Sequence, residues 1–368
     1  MVHKVSAPHR RRTLDLQQAE SELHFNARQL AKELLVGWAA LGEDDIEIGT
    51  VSGGITNVLW QLAPPQGSEL ERVLLRVFGD KTDLLIDRDR ELEVVLQLNA
   101  AGFGANVIAT FENGRFESFI PMRTLKPEQM TQPDMAVCIA RRLRQFHAVD
   151  ITGDKQPTSF ATTRKWLDMA RSLDFEDSPA KQAQYEALDF DQMSAEMSEI
   201  EEACLRIDSP SVFSHHDLLS GNVMVSWQED EPVCSAVDGS TVQFIDFEYG
   251  AYSQRGFDLG NHFNEYAGFE CDYGRYPSKG HVADFARSYL AEGQSTPPEE
   301  RAVQQLAVEA NVFALASHQY WGVWAILQSR YSPIDFDYMG YSQLRWSEYY
   351  RRKAEFLADL GRFLEQAK

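Results

Sequence analysis

Three polar side chains stand in an order that suggests chemistry. In SHHDLLSGNVMV (residues 214–225), Asp217 precedes Asn222 by five positions, and in VQFIDFEYG (residues 242–250) Asp246 closes an apolar run. Taken singly, Asp217 reads equally as a turn or helix-capping acid, and Asp246 as an acid at a strand end. As an ordered set they provide a proton acceptor and two hard oxygen donors. Phosphoryl transfer needs that inventory, because its loose transition state is served mainly by positioning and charge neutralisation. A hard cation takes oxygen ligands of this kind. On this reading Asp217 accepts the proton of an attacking hydroxyl, and Asn222 and Asp246 hold Mg2+ beside the transferred phosphate.

Such a set works only if the chain folds Asp246 back beside Asn222. Two apolar runs, 222–225 and 242–247, flank a polar excursion, SWQEDEPVCSAVDGST (residues 226–241), and so read as a hairpin. Upstream, residues 18–121 read as a strand-rich unit. Leu23, Ala27, Leu30, Leu34 and Trp38 recur at helical spacing, and Val73, Leu75 and Val77 alternate with Arg72, Leu74 and Arg76 along a strand. A charged helix is expected over 86–101, and a hairpin around 112–114. In SGGITN (residues 52–57), Ser52, Gly53, Gly54, Thr56 and Asn57 form a glycine-bearing turn between two strands, where backbone N–H groups can approach phosphate oxygens. Arg76 on a following strand is a cation that grips phosphate bidentately, and Glu91 is its candidate ion-pair partner, or else a solvated helix acid.

Residues 122–368 read as mostly helical, so the fold class is α+β with two lobes. LASHQYWGVWAIL (residues 315–327) is apolar nearly all round, and His318, Trp321 and Trp324 share one side of it. That stripe is either core or, with Asp258, Glu265, Tyr266 and Tyr273 from FDLGNHFNEYAGFECDYG (residues 257–274), a site for an ammonium group.

Composition sets outer bounds. At 43% apolar and 25% charged residues the chain is ordinary globular protein, and a net charge of −21 argues against nucleic-acid or anionic-membrane binding. Cys138, Cys204, Cys234 and Cys271 form no CxxC pair or Cys/His cluster, so reduced thiols and a cytoplasmic setting are expected. No apolar run reaches membrane-spanning length. Residues 1–17 read as a flexible basic tail rather than a secretory signal, with a transit peptide as the weaker alternative.

Taken together these stretches resemble the choline/ethanolamine kinases, relatives of the aminoglycoside phosphotransferases within the protein-kinase-like fold. SGGITN, LLRVFG, the helix bearing Glu91, FESFIP, HHDLLSGN, FIDFEYGAYSQRGFDLGNHFNE, LASHQYWGVWAILQS and IDFDYMGY carry the likeness over residues 48–350. The resemblance implies ATP-dependent phosphorylation of a small amino alcohol, the entry step of phospholipid head-group synthesis. Its implied roles place the phosphates on the 52–57 turn and Arg76, with Glu91 orienting Arg76. The adenine edge falls at the backbone of Glu117, Phe119 and Ile120. The ammonium falls at Glu265, Trp321 and Trp324, with Tyr266, Tyr273 and His318 nearby. GGITN and NHFNEYAG resemble the ethanolamine branch more than the GGMSN and NHFCEW of choline kinases, although Tyr266 stands where that branch usually has Phe, and His216 replaces the commoner Asn. A choline or dual-specificity kinase is the nearest alternative, and a non-catalytic nucleotide-binding relic a more distant one. DFEY in place of DFG, with no APE after it, argues against a protein kinase. Relatives in such a family often dimerise, so a homodimer is one assembly the sequence leaves open.

Overall fold

Alternation in the β-runs sets the architecture of the N-terminal part. A computed structural model describes residues 7–51, 57–79, 86–234 and 241–366. The chain divides into two units, Met1–Pro121 and Met122–Lys368. The first contains β1 (His9–Arg10), α1 (Glu20–Leu34), β2 (Glu47–Thr50), β3 (Asn57–Ala63), β4 (Val73–Phe78), α2 (Arg88–Ala100), β5 (Val107–Phe111) and β6 (Gly114–Ser118). Its sheet runs β1-β5-β6-β4-β3-β2. Val73, Leu75 and Val77 on one face of β4 pack with Trp60, Leu62 and Phe116, and with Leu23, Ala27, Leu30 and Leu34 of α1. The helical spacing that reached Trp38 is broken at Gly37, whose left-handed φ of 84° turns the chain into a short 3-10 segment, Trp38–Ala40. Ser52, Gly53, Gly54 and Thr56 lie outside the described residues.

From residue 7 onward, the segment read as a tail behaves otherwise. His9–Arg10 pairs in parallel with Thr110 and Phe111 of β5. Leu14 is 1% exposed, and both of its backbone groups bond the Asn113 side chain at 2.9 and 2.8 Å. An edge strand presents unpaired N–H and C=O groups, and this segment covers them while its charges stay at the surface, as in the 2.6 Å Arg12–Glu33 pair.

The second unit begins with β7 (Arg123–Thr124), α3 (Pro127–Met130), α4 (Pro133–Phe146), α5 (Ser159–Arg171), α6 (Pro179–Glu186) and α7 (Phe190–Leu205). The helical pattern over 160–207 is thus three helices, with Pro179 at the start of α6 and the Asp189 side chain capping α7. Then follow β8 (Ser211–Ser214), β9 (Val223–Gln228), β10 (Glu231–Val233), β11 (Val242–Phe244), β12 (Ala251–Gln254), α8 (Arg255–Asn264), α9 (Lys279–Ala291), α10 (Glu300–Tyr331) and α11 (Tyr338–Glu365). The expected hairpin is present: β11 pairs antiparallel with β9, Phe244 opposite Val223. The polar excursion adds β10 on the other side of β9. That fold brings Cys234 to Cys138 of α4, and the two form a disulfide. The expectation of reduced thiols is therefore not met at these two positions. Their separation of 96 residues leaves no local spacing to read. Among the described residues, no helix is long and apolar enough to cross a membrane.

α8 and α10 form the centre of this unit. Their approach depends on small residues four apart on α8, Gly256 and Gly260. A Cβ at Gly260 would lie 2.4 Å from the Ala314 nitrogen and 2.5 Å from the Ala310 carbonyl oxygen, both backbone atoms that cannot swing away. Gly260→Ala is expected to cost about 3 kcal/mol through overpacking, whereas Gly361→Ala on α11, where nothing lies within 4 Å, should be neutral or stabilising. Urea midpoints would check this; equal midpoints for both variants would contradict the packing.

Candidate active site

The loop between β8 and β9 takes its shape from one buried carboxylate. Asp258, in the first turn of α8, accepts the backbone N–H of His215 at 2.6 Å and of His216 at 2.7 Å. It also accepts from Nε2 of His147 at 3.0 Å, and Nδ1 of His147 then takes the Tyr289 hydroxyl at 2.8 Å. Burial opposes the Asp258 charge, but the His147 bond together with the electrostatic influence of His147, His216 and His215 outweighs it and the carboxyl is held at about 2. His147 itself is pushed down by burial, so it stays neutral, with Nε2 as the donor. His216 is thereby fixed at φ 66°, an unusual conformation for a residue with a side chain.

Both histidines bond the segment after β11. His215 Nε2 donates to the Ile245 carbonyl at 3.0 Å, and its Nδ1 accepts from the Asp217 N–H at 3.3 Å. His216 Nδ1 donates to the Tyr249 carbonyl at 2.8 Å. Asn222 binds back to Asp217, with Nδ2 at 2.8 Å from its carbonyl and 3.0 Å from its carboxylate. The Ile245 N–H bonds the Asn222 carbonyl at 3.1 Å, and Asp246 follows at φ 65°. The three residues of the sequence constellation are thus linked, directly or through one neighbour. The Asp217 carboxyl is pushed well above the ordinary carboxylate range, by burial first and then by the charges of Glu265, Asp246 and Glu248. A crowd of carboxylates with its proton affinity raised in this way favours the approach of cations.

The aromatic residues separate into two groups. Trp321 and Trp324 meet edge to face at 5.1 Å, and with Tyr249 at 5.2 Å from Trp321 and Tyr338 at 5.8 Å from Trp324 they form a box. The Trp324 indole N–H donates to the Tyr249 hydroxyl at 2.9 Å. Glu265, Tyr273 and His318 lie instead around Arg345. Glu265 accepts from Arg345 at 2.8 Å, and Tyr273 packs on His318 at 5.3 Å. Tyr266 joins neither group: its ring is buried and its hydroxyl meets His281 at 3.2 Å. Sequence reasoning left out Tyr249, Tyr338 and Arg345. Tyr249 stands three residues after Asp246, and Tyr338, Tyr341 and Arg345 share a face of α11 at i, i+3 and i+7, the spacing that could have found them.

In the first unit the cations and acids form a buried chain. Arg76 donates to Glu117 at 3.3 Å, and Arg115 donates to both Glu117, at 2.5 Å, and Glu91, at 2.8 Å. Arg88 completes it with a 2.6 Å bond to Glu91. Among the described residues Glu91 therefore reaches Arg76 through Arg115 and Glu117 rather than directly. Asn57 is buried at the start of β3. Phe119, with the Arg72 guanidinium 5.3 Å from its ring, and Ile120 are half-buried just after β6.

A buried carboxylate of raised proton affinity beside an amide and a second acid, tied to an aromatic cluster, suits a small-molecule phosphotransferase. Comparison with known proteins agrees. The model of the choline/ethanolamine kinase family matches residues 48–350. A probable ethanolamine kinase of Arabidopsis thaliana is 41% identical over 326 residues, covering 88% of this chain and 84% of that protein. A probable ethanolamine kinase A of Dictyostelium discoideum is 37% identical over 318 residues, covering 86% and 88%. Among solved structures, a Plasmodium vivax ethanolamine kinase superposes with a TM-score of 0.78 at 29% identity, covering 92% of this chain and 90% of that one. The chain belongs to the choline/ethanolamine kinase family, and it has that family's α+β kinase-like fold.

The site's histidines give stability a pH signature. His147, His215, His216 and His318 are all lowered by burial, and His262 is lowered by burial to about 4. Groups lowered in the folded state stay neutral there while the unfolded chain takes up protons, so stability is full above the unfolded value and falls as pH drops below about 6.5. Each such group adds a slope of up to about 1.4 kcal/mol per pH unit. Urea unfolding at pH 7.5, 6.5 and 5.5 should show this loss in the lower interval, and a flat profile would contradict it.

Proposed function

We propose that this chain transfers the γ-phosphoryl group of ATP to the hydroxyl of ethanolamine, giving phosphoethanolamine and ADP. The observation that carries the reading is the contact of Asp217 with Asn222, in a loop tied through His216 to Tyr249 of the aromatic box. One hydrogen bond from the His216 ring to the Tyr249 carbonyl thus ties the proton acceptor to the amine site. The relatives named as ethanolamine kinases support ethanolamine as the amine.

Asn222 turns its Nδ2 toward Asp217, which directs Oδ1 away from it, and Asp246 contributes a carboxylate two residues beyond β11. Two hard oxygen donors so arranged fit Mg2+. When bound, that ion neutralises charge on the phosphate oxygens. Asp217 takes the hydroxyl proton as the alcohol oxygen bonds to the γ-phosphorus and the bond to the ADP oxygen breaks. Its raised proton affinity suits it to accepting that proton. The faces of Tyr249, Trp321, Trp324 and Tyr338 receive the ammonium, and Glu265 accepts hydrogen bonds from it. Fixing the ammonium end holds the hydroxyl in line with the phosphorus. In the first unit, Ser52, Gly53, Gly54, Thr56 and Asn57 with Arg76 hold the phosphates, and the backbone of Glu117, Phe119 and Ile120 receives the adenine.

A choline kinase is the second reading. The box supports it, because a quaternary ammonium is bound by aromatic faces alone.

Phosphorus NMR of a reaction with ethanolamine and Mg-ATP should show phosphoethanolamine and ADP in equal amounts, and EDTA should abolish both. Asp217→Asn is expected to lower kcat about 10²-fold or more while the KM for ATP stays close to wild type. Near-normal turnover of that variant would remove Asp217 from the role of base.

A further inference from the structure

A buried guanidinium stands behind the amine site. Arg345 on α11 is 2% exposed. Its Nη1 donates to the Glu265 carboxylate at 2.8 Å and to the Tyr341 hydroxyl at 3.0 Å. Its Nη2 donates to the Ser317 hydroxyl at 2.9 Å and to the Ser317 carbonyl at 3.3 Å. The Ser317 hydroxyl donates to Oδ1 of Asn261 at 2.8 Å, and the same oxygen accepts the Trp321 indole N–H at 2.8 Å. Asn264 Nδ2 is the other donor to Ser317, at 3.1 Å.

The inventory of this network fixes its directions. A serine hydroxyl has one proton and two lone pairs, and all three are used here: donation to Asn261 and acceptance from Arg345 and Asn264. With both lone pairs taken, the proton must point to Asn261, which orients the Asn261 oxygen toward the Trp321 N–H. One guanidinium therefore holds the acidic wall, Glu265, with one arm, and with the other it holds one aromatic wall, Trp321, through two intermediaries. A point charge such as lysine cannot hold both arms, whereas the planar fork of arginine does so with fixed geometry.

We infer that Arg345 is a positioning residue for the amine: it sets the distance and orientation between the Glu265 carboxylate and the Trp321 ring, and thereby the affinity for a primary ammonium. The inference rests on the amine site described above. Glu265 also lines a cavity of about 280 Å3 with Lys126, Glu128, Leu219, Ser220 and Arg275, and none of Tyr249, Trp321, Trp324 and Tyr338 lines it. Occupation of Oε1 by Arg345 leaves Oε2 as the oxygen for an incoming ammonium. A buried carboxylate without a compensating cation would be strongly disfavoured, so Arg345 also lets an acid stand in this wall.

The test is steady-state kinetics of Arg345→Lys, Ser317→Ala and Trp321→Ala with ethanolamine and Mg-ATP, alongside thermal melts. Arg345→Lys keeps a cation for Glu265 and loses the second arm. It is expected to raise the ethanolamine KM about 10-fold or more while the ATP KM changes less than about two-fold. Ser317→Ala keeps the Arg345–Glu265 arm and cuts the branch to Trp321 together with the Asn264 bond, and its expected rise in ethanolamine KM is smaller, about three-fold. A lowered melting temperature with an unchanged ethanolamine KM for both variants would make the network packing alone and overturn the inference. Should Arg345→Lys fail to fold, Ser317→Ala decides on the same criterion. Trp321→Ala separates the two levels. If it raises the ethanolamine KM and neither other variant does, Arg345 positioning fails and the amine site stands. If Trp321→Ala leaves that KM unchanged, the amine site is misplaced and the inference falls with it.

Discussion

The catalytic unit depends on Asp258. A fully buried carboxylate is costly unless it is bonded, and this one takes two backbone N–H groups and one imidazole. Those bonds hold His216 in the left-handed region and direct Asp217 toward Asn222. They also place the two histidines so that their rings reach the carbonyls of Ile245 and Tyr249. The loop carrying Asp217 and Asn222 and the loop carrying Asp246 are thus fastened to one anion on α8. α8 is fastened in turn by glycines that let it press against α10, the helix bearing Trp321 and Trp324. Strain at His216 and Asp246 is tolerated because surrounding bonds over-determine it.

Around that frame, two ways of meeting positive charge stand side by side. Burial first, then the charges of Glu265, Asp246 and Glu248, raise the proton affinity of Asp217, and together these acids favour the approach of cations. Tyr249, Trp321, Trp324 and Tyr338 form an aromatic cluster, and on the proposed reading their faces attract an ammonium without taking its proton. Arg345 lies where the two meet and balances one carboxylate while leaving the others uncompensated by it. The first unit uses the same logic in a closed form, alternating Arg88, Glu91, Arg115, Glu117 and Arg76 so that each buried charge has a partner.

Much of this was legible in the chain, for identifiable reasons. The 217/222/246 order and the hairpin that closes it are local, since strand period and a polar turn are visible in one stretch. The helix bearing Trp321 and Trp324 announced itself by being apolar on every side. Legibility failed where partners are remote. Nothing local links Cys138 to Cys234, or Glu265 to Arg345 eighty positions later. Arg115 displaced Arg76 as the partner of Glu91 because it stands opposite Arg76 across the β4–β6 pair, a neighbour that only the register reveals. Tyr266 seemed placed for substrate by its nearness to Glu265 in sequence. The 3-10 turn over Glu265–Ala267 instead sends its ring toward His281. The basic start was read by charge alone, and its capacity to cover an open sheet edge was not visible there.

On the proposed reading, one site joins the Asp217 loop to an amine site suited to a primary ammonium. Its most direct test is the ratio of kcat/KM for ethanolamine over choline, measured by ADP release with Mg-ATP under one set of conditions. A ratio of about 10 or more is expected if Glu265 accepts hydrogen bonds that only the primary ammonium can donate. A ratio of about 1 or below would contradict that claim, leaving the aromatic box as the recognition element and Glu265 without a part in choosing the substrate.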